Sequence, residues 1–170
     1  MDAFATAEII YGTGKRFDSL LVIKWGPGIG STIVIDNKVY EGRHGKTAEL
    51  GHVIVEKDGL KCSCGKRGCL ETILSAGALA KISSKEKLDY SLDLFAKSIV
   101  NTCSIIAPNR IILAGPLFAD KSMRDKIISF CREYDPSCDE SKILYTSLSG
   151  KESYIGPVAV YFSGLVMCSN

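Results

Sequence analysis

One histidine and three cysteines near the middle of the sequence have side chains that suit a metal ion. They are His52, Cys62, Cys64 and Cys69. One imidazole and three thiols form a closed tetrahedral set for zinc, which leaves no open position and indicates a structural ion. Gly65 and Gly68 lie between the second and third cysteines, where a tight turn needs residues that tolerate positive φ. The alternative is a group of ordinary buried thiols, because the spacing is not that of paired Cys-x-x-Cys knuckles.

Two carboxylates flank this group. Glu49 lies three residues before His52, and Glu71 lies two residues after Cys69. A metal that fixes the loop also fixes its neighbours, so both carboxylates could be held as acceptors for sugar hydroxyls. For Glu71 the alternative is that it opens a helix running through Leu74, where a carboxylate interacts favourably with the helix dipole.

These residues together resemble a family signature. The two segments that carry it are Glu49-Leu-Gly-His52 and Cys62-Ser-Cys-Gly-Lys-Arg-Gly-Cys-Leu-Glu71. They are similar to the signature of the ROK family, which groups sugar-responsive transcriptional repressors with sugar kinases. The resemblance implies an α/β fold of the actin-like, ribonuclease-H-like ATPase type and zinc on His52, Cys62, Cys64 and Cys69. It also implies sugar contacts from Glu49, His52 and Glu71.

Asp2 stands at the head of a helix predicted from Ala3 to Tyr11. From the residues alone, Asp2 could simply be its N-cap. The resemblance implies a second role, since ROK kinases carry an Asn-Asp pair here whose Asp is the general base on the sugar hydroxyl. Asp2 matches that Asp and can contact sugar, while Met1 occupies the place of the Asn.

The resemblance also leads to an expectation about domain organisation. Nothing in the sequence matches the phosphate-binding Asp-Gly-Gly loop of the ROK N-terminal domain. We expect residues 1–170 to form a single ROK C-terminal domain, the sugar-binding half, with the zinc loop at 49–71 and with the N-terminal domain not present.

Glycines in two places could approach a nucleotide. Gly26, Gly28 and Gly30 form a glycine-rich loop between two predicted strands, and Gly115 follows a buried strand. In ROK kinases the corresponding segments contact phosphates and adenosine. Here Pro27 stiffens the loop, Ser31-Thr32 replace further glycines, and Pro116 follows Gly115. These departures argue against ATP binding, and a glycine hairpin without a ligand is the alternative.

The composition narrows the class of protein. The chain has 170 residues, 46% of them hydrophobic, and a formal charge of +2, which is too balanced for an extended nucleic-acid surface. It has neither a long apolar run nor a signal sequence, so we expect a cytoplasmic protein without membrane contact. The other cysteines, Cys103, Cys131, Cys138 and Cys168, are expected to be reduced, and His44 to be solvated.

The remaining pattern alternates strand and helix, which is typical of α/β proteins. Strands are predicted over 19–25, 31–35, 38–41, 110–115 and 142–146, with a two-residue turn at Asp36-Asn37. Helices are predicted over 72–82, 90–106, 121–134 and 154–167. Small residues on the last helix, Gly156, Ala159 and Gly164, permit close packing within the domain or in a homodimer.

Three functions remain open. The first is the sugar-binding effector domain of a ROK-type repressor, which would bind DNA only through a helix-turn-helix in absent upstream sequence. The second is an ATP- and magnesium-dependent sugar kinase of the hexokinase or glucokinase type with Asp2 as base, although the fragment alone should be inactive. The third is a zinc-stabilised interaction domain without a small ligand.

Overall fold

A five-stranded mixed sheet forms the centre of the protein in the computed structural model, which describes residues 1–43, 47–151 and 154–167, with side chains as far as Tyr161. The strands are β1 (Leu20–Trp25), β2 (Ile29–Ile35), β3 (Lys38–Val39), β4 (Arg110–Ala114) and β5 (Ile143–Tyr145). Their order in the sheet is β3-β2-β1-β4-β5. β4 is parallel to both β1 and β5, whereas β1, β2 and β3 form an antiparallel meander. The predicted α/β class is confirmed.

Helices cover both faces of the sheet. They are α1 (Asp2–Ile10), α2 (Glu71–Leu74), α3 (Ala76–Leu79), α4 (Lys85–Ile106), α5 (Lys121–Tyr134) and α6 (Ile155–Met167). Alternate residues of β1 supply the two cores, because successive strand residues point to opposite faces. Leu21 and Ile23 pack with α4 and α5, while Leu20 and Val22 pack with α1 and α6.

The short turn between β2 and β3 agrees with its sequence. Asp36 and Asn37 both have positive φ, 52° and 60°, as a two-residue type I′ hairpin requires. The close packing expected of the last helix occurs within the domain. A side chain on Gly156 would lie about 3 Å from Ala3 of α1, and Ala159 is fully buried.

Two helix predictions were wrong in their extent. The helix expected over 72–82 breaks at Ser75, whose backbone is extended and whose hydroxyl accepts from Ala78 N at 3.4 Å. The break lets Ala76 N donate to Gly26 O at 2.9 Å, so a tertiary hydrogen bond outweighs helix propensity. The helix expected over 90–106 begins earlier, at Lys85, because Ser84 caps it through Lys87 N.

Cys103, Cys131 and Cys138 are free thiols, as expected, and all three are buried. The predictions for His44 and Cys168 lie outside the described residues.

Candidate metal centre and binding site

The segment over residues 49–71, here called the metal loop, is folded by backbone hydrogen bonds. Cys69 bridges to Ile54, and Leu70 N donates to Val53 O at 2.9 Å. At the tip, Gly65 N donates to Cys62 O at 3.0 Å and Cys62 N donates to Lys66 O at 2.8 Å, which closes a tight turn. Gly65 and Gly68 have φ of +91° and +71°, so the predicted need for positive φ is confirmed.

This backbone brings all four predicted metal ligands together. The ligand atoms of His52, Cys62, Cys64 and Cys69 lie within 4.8 Å of one another. Cys62 Sγ is 3.5 Å from His52 Nδ1, and Cys64 Sγ is 3.6 Å from Cys69 Sγ. Because Zn–S bonds are about 2.3 Å long, two sulfurs on one tetrahedral zinc are separated by about 3.8 Å. The donor set and its spacing therefore fit a zinc ion held by these residues.

The thiols of this group differ in their environments. The Lys66 backbone N–H is the main cause of a lowered pKa at Cys64, which is exposed. Burial raises the pKa of the Cys69 thiol to about 12. A bound cation would favour the thiolate form of Cys69. It would therefore lower the pKa of this thiol and oppose the effect of burial.

His52 lies between the other predicted metal ligands and two of the predicted sugar contacts, Glu49 and Glu71. Its Nδ1 faces Cys62 and lies 3.7 Å from Glu71 Oε1, while its Nε2 lies 3.9 Å from Glu49 Oε2. The Glu71 side chain is 21% exposed and that of Glu49 is 56% exposed. The imidazole therefore lies between the two carboxylates, within ion-pair distance of each.

Glu71 also reaches the loop Gly26–Gly30, here called the glycine loop. A side chain on Gly28 would lie 2.8 Å from Glu71 Oε2, so the carboxylate occupies the space that glycine leaves. Glu71, Lys24, Met1 and the glycine loop line a cavity of about 280 Å³. Glu49 borders a smaller hollow of about 130 Å³ with Ser31, Ala48 and Leu50. The two glutamates therefore meet at His52 and open into different hollows.

Glu71 is also the first residue of α2, as the helix-dipole alternative required.

The structure places Asp2 differently from the N-cap alternative, which was wrong. Asp2 is the first helical residue of α1, its N-cap position is Met1, and no side chain caps the helix. Asp2 Oδ1 instead accepts a hydrogen bond of 3.1 Å from Thr32 Oγ1 on β2. Sequence analysis treated Thr32 only as a departure from glycine. The signal available was a pair of hydroxyl residues, Ser31-Thr32, in an otherwise apolar strand.

The two sets of predicted nucleotide-binding glycines lie next to each other. Gly115 has a φ of +119°, and a side chain there would lie 2.0 Å from Trp25 O, directly before the glycine loop. Both segments follow the carboxyl ends of the parallel strands β1 and β4. In α/β sheets this edge is where ligands usually bind.

The fold defines the class of protein as an α/β domain of the actin-like ATPase type, and this domain carries a Cys-rich loop whose side chains could hold a metal ion. In agreement, a solved ROK hexokinase from Thermus thermophilus superposes with a TM-score of 0.81 at 19% identity, over 91% of this chain and 60% of that one. The sequence model of the ROK family matches residues 1–93. The chain belongs to the ROK family.

Its curated relatives include both branches of that family. A glucokinase from Thermotoga maritima is 38% identical over 96 residues, which cover 56% of this chain and 30% of the glucokinase. A xylose repressor from Bacillus subtilis is 30% identical over 183 residues, which cover 91% of this chain and 47% of the repressor. The chain thus spans less than half the length of either relative. Among the described residues, no helix has the length and apolar character needed to cross a bilayer.

Proposed function

We propose that this chain is the zinc-stabilised, sugar-binding effector domain of a ROK-family transcriptional repressor of carbohydrate metabolism. The observation that carries the proposal is the position of His52. Its Nδ1 lies 3.5 Å from Cys62 Sγ and 3.7 Å from Glu71 Oε1, and its Nε2 lies 3.9 Å from Glu49 Oε2. An ion at this site would lock the imidazole and, through it, both carboxylates.

In this proposal zinc is bound by His52, Cys62, Cys64 and Cys69 and has a structural role. Four protein ligands leave no position for water or substrate, so the ion supplies folding energy and rigidity to the metal loop. The loop is short of apolar contacts at its tip, where Cys64, Gly65 and Lys66 are exposed. Metal coordination would supply the stability that apolar packing does not provide at the tip.

The proposed ligand is a small sugar. Ionised carboxylates accept strong, directional hydrogen bonds from hydroxyl groups, and sites for polar ligands use a few such groups on a rigid frame. Asp2, Glu49, His52 and Glu71 are the proposed contacts. Asp2 is held by Thr32, and Glu71 lies against the glycine loop.

Two observations favour a repressor over a kinase. The xylose repressor aligns with 91% of this chain, whereas the glucokinase aligns with 56%. Pro116 is the first residue of the turn Pro116–Ala119 after Gly115, and proline has no N–H to offer a nucleotide. Sugar binding would shift the protein between DNA-binding and non-binding populations. DNA contacts would come from a separate helix-turn-helix. We further propose that residues 1–170 form a single domain and that the protein is a cytoplasmic homodimer.

An ATP- and magnesium-dependent sugar kinase is the second candidate. It is favoured by the hydrogen bond that holds Asp2 and by the glycine loop lying beside Gly115. In that case Asp2 would be the general base, and Gly26, Gly28, Gly30 and Gly115 would approach the nucleotide. A zinc-stabilised interaction domain remains as a third candidate.

Calorimetry of the full-length protein separates these candidates. The zinc-loaded protein is titrated with glucose, mannose, xylose and N-acetylglucosamine, and then with ATP and magnesium. A repressor binds one sugar and no nucleotide. Tight binding of ATP together with sugar phosphorylation would establish the kinase, and binding of neither sugar nor nucleotide would leave the interaction domain.

A further inference from the structure

Two consecutive residues of β2 contact two of the proposed sugar-binding segments, Asp2 and the turn around Glu49. Ser31 and Thr32 are only 6% and 1% exposed, although both carry hydroxyl groups. Neighbouring strand residues point to opposite faces of a sheet, so the two hydroxyls leave β2 in opposite directions. Buried hydroxyls are retained where they are hydrogen-bonded, and each of these has a specific partner.

Thr32 acts on Asp2. Its hydroxyl donates to Asp2 Oδ1 at 3.1 Å and fixes that oxygen from the protein side, while Asp2 itself is exposed. A second threonine offers a comparison, because the Thr6 hydroxyl donates to the backbone carbonyl of Asp2 at 3.0 Å. Thr6 touches the same residue without touching its carboxylate.

Ser31 acts on the backbone around Glu49. Its hydroxyl donates to Ala48 O and accepts from Leu50 N at 3.2 Å, so one side chain spans both neighbours of Glu49. Ala48 has a φ of +53°, a left-handed conformation that non-glycine residues rarely adopt. The Ser31 hydrogen bonds hold this turn, from which the Glu49 side chain projects to within 3.9 Å of His52 Nε2.

We propose that Ser31 and Thr32 are positioning residues, Thr32 for the Asp2 carboxylate and Ser31 for the turn that carries Glu49, and that both are needed for full sugar affinity. This inference rests on the proposed sugar-binding function. The two hydroxyls act separately, each on its own side of β2. Thr32 sets the orientation of Asp2, and Ser31 sets the backbone from which Glu49 extends.

The test measures sugar affinity by calorimetry on the full-length, zinc-loaded protein, using whichever of glucose, mannose, xylose or N-acetylglucosamine the wild type binds. Thr32→Val keeps the shape of the side chain and removes the hydroxyl. We expect it to weaken binding about tenfold, which is the effect of one lost hydrogen bond to a charged group. Thr32→Ser should restore affinity to within about twofold on the same grounds, and Thr6→Val should leave it unchanged. The melting temperatures of Thr32→Ser and Thr6→Val provide the control for folding.

A cycle with Asp2→Asn separates positioning from general structural damage. We expect Thr32→Val to have little further effect once Asp2 is Asn, because both changes remove the same oriented carboxylate. Ser31→Ala should lose affinity in the wild type and little in a Glu49→Gln background. Wild-type affinity in Thr32→Val, or additive losses in both cycles, would overturn the inference even if Asp2→Asn weakens binding. If the wild type binds none of the sugars, the proposed function fails and the inference fails with it.

Discussion

The carboxylate of Glu71 lies 3.7 Å from Nδ1 of His52, although the two residues are 19 positions apart in the chain. The contact exists because the metal loop folds back on itself. Bridges at Ile54↔Cys69 and Lys61↔Arg67 return the chain to its starting point. The metal loop thus brings Glu71, its last residue, to His52 near its start, and Cys62 Sγ lies 3.5 Å from the same imidazole nitrogen.

Removing one thiol should release the metal. Cys64→Ser leaves three ligands, and we expect zinc content measured by elemental analysis to fall well below one per chain, with the metal loop becoming sensitive to proteases. Cys103→Ala is the matched control, since Cys103 is a buried thiol in the core around α4 and should leave zinc content at one. A full complement of zinc in Cys64→Ser would discredit the four-ligand site.

The two glycines at the tip of the metal loop should respond differently to a methyl group. A side chain on Gly68 would lie 1.7 Å from Glu56 O, whereas Gly65 has open space around it despite its φ of +91°. Gly68→Ala is therefore expected to cost more than about 3 kcal/mol in unfolding free energy, while Gly65→Ala should cost about 1 kcal/mol for its positive φ alone. Urea denaturation of the zinc-loaded variants measures both. Equal costs would show that the chain near Glu56 moves easily.

Stability should depend on pH through Glu8. This carboxyl is fully buried, accepts hydrogen bonds from Thr146 and Gly14, and has a pKa raised above its ordinary value of 4.5 chiefly by burial. A raised pKa means that the folded protein retains the proton longer than the unfolded chain. The associated stability is fully present below pH 4.5 and is lost as the pH rises through the folded-state pKa.

The Glu8→Gln variant removes this titration and should lose less stability than the wild type over that rise in pH. Melting temperatures measured for both proteins from acidic to neutral pH provide the comparison. Parallel curves for the two proteins would contradict the assignment of the raised pKa to Glu8.

Much of the fold could be predicted because it depends on residues that are close together in the sequence. The apolar spacing of α5 and the Asp36-Asn37 turn are short-range features, and both were predicted where they occur. The errors arose where distant residues decide. The break at Ser75 depends on Gly26 O, which lies far away in the chain. No helical period could reveal that bond.

In the candidate site, too, contacts between residues close in sequence were predicted and contacts between distant residues were not. The metal ligands are close in sequence, so spacing and residue type sufficed to predict their cluster. Asp2 and Thr32 meet only because α1 packs against β2. Without knowledge of that packing, an Asp at the start of a helix is most simply interpreted as its N-cap. For the same reason the contact between Glu71 and Gly28 needed the fold.

Glu71→Gln tests most directly whether the metal loop orients Glu49 and Glu71 towards a bound sugar. The variant keeps all four metal ligands and nearly the same shape, so zinc content should remain at one per chain. Calorimetry with the sugar that the wild type binds should then show an affinity at least about tenfold lower, from the loss of a charged acceptor. Wild-type affinity in a zinc-replete Glu71→Gln protein would contradict the account.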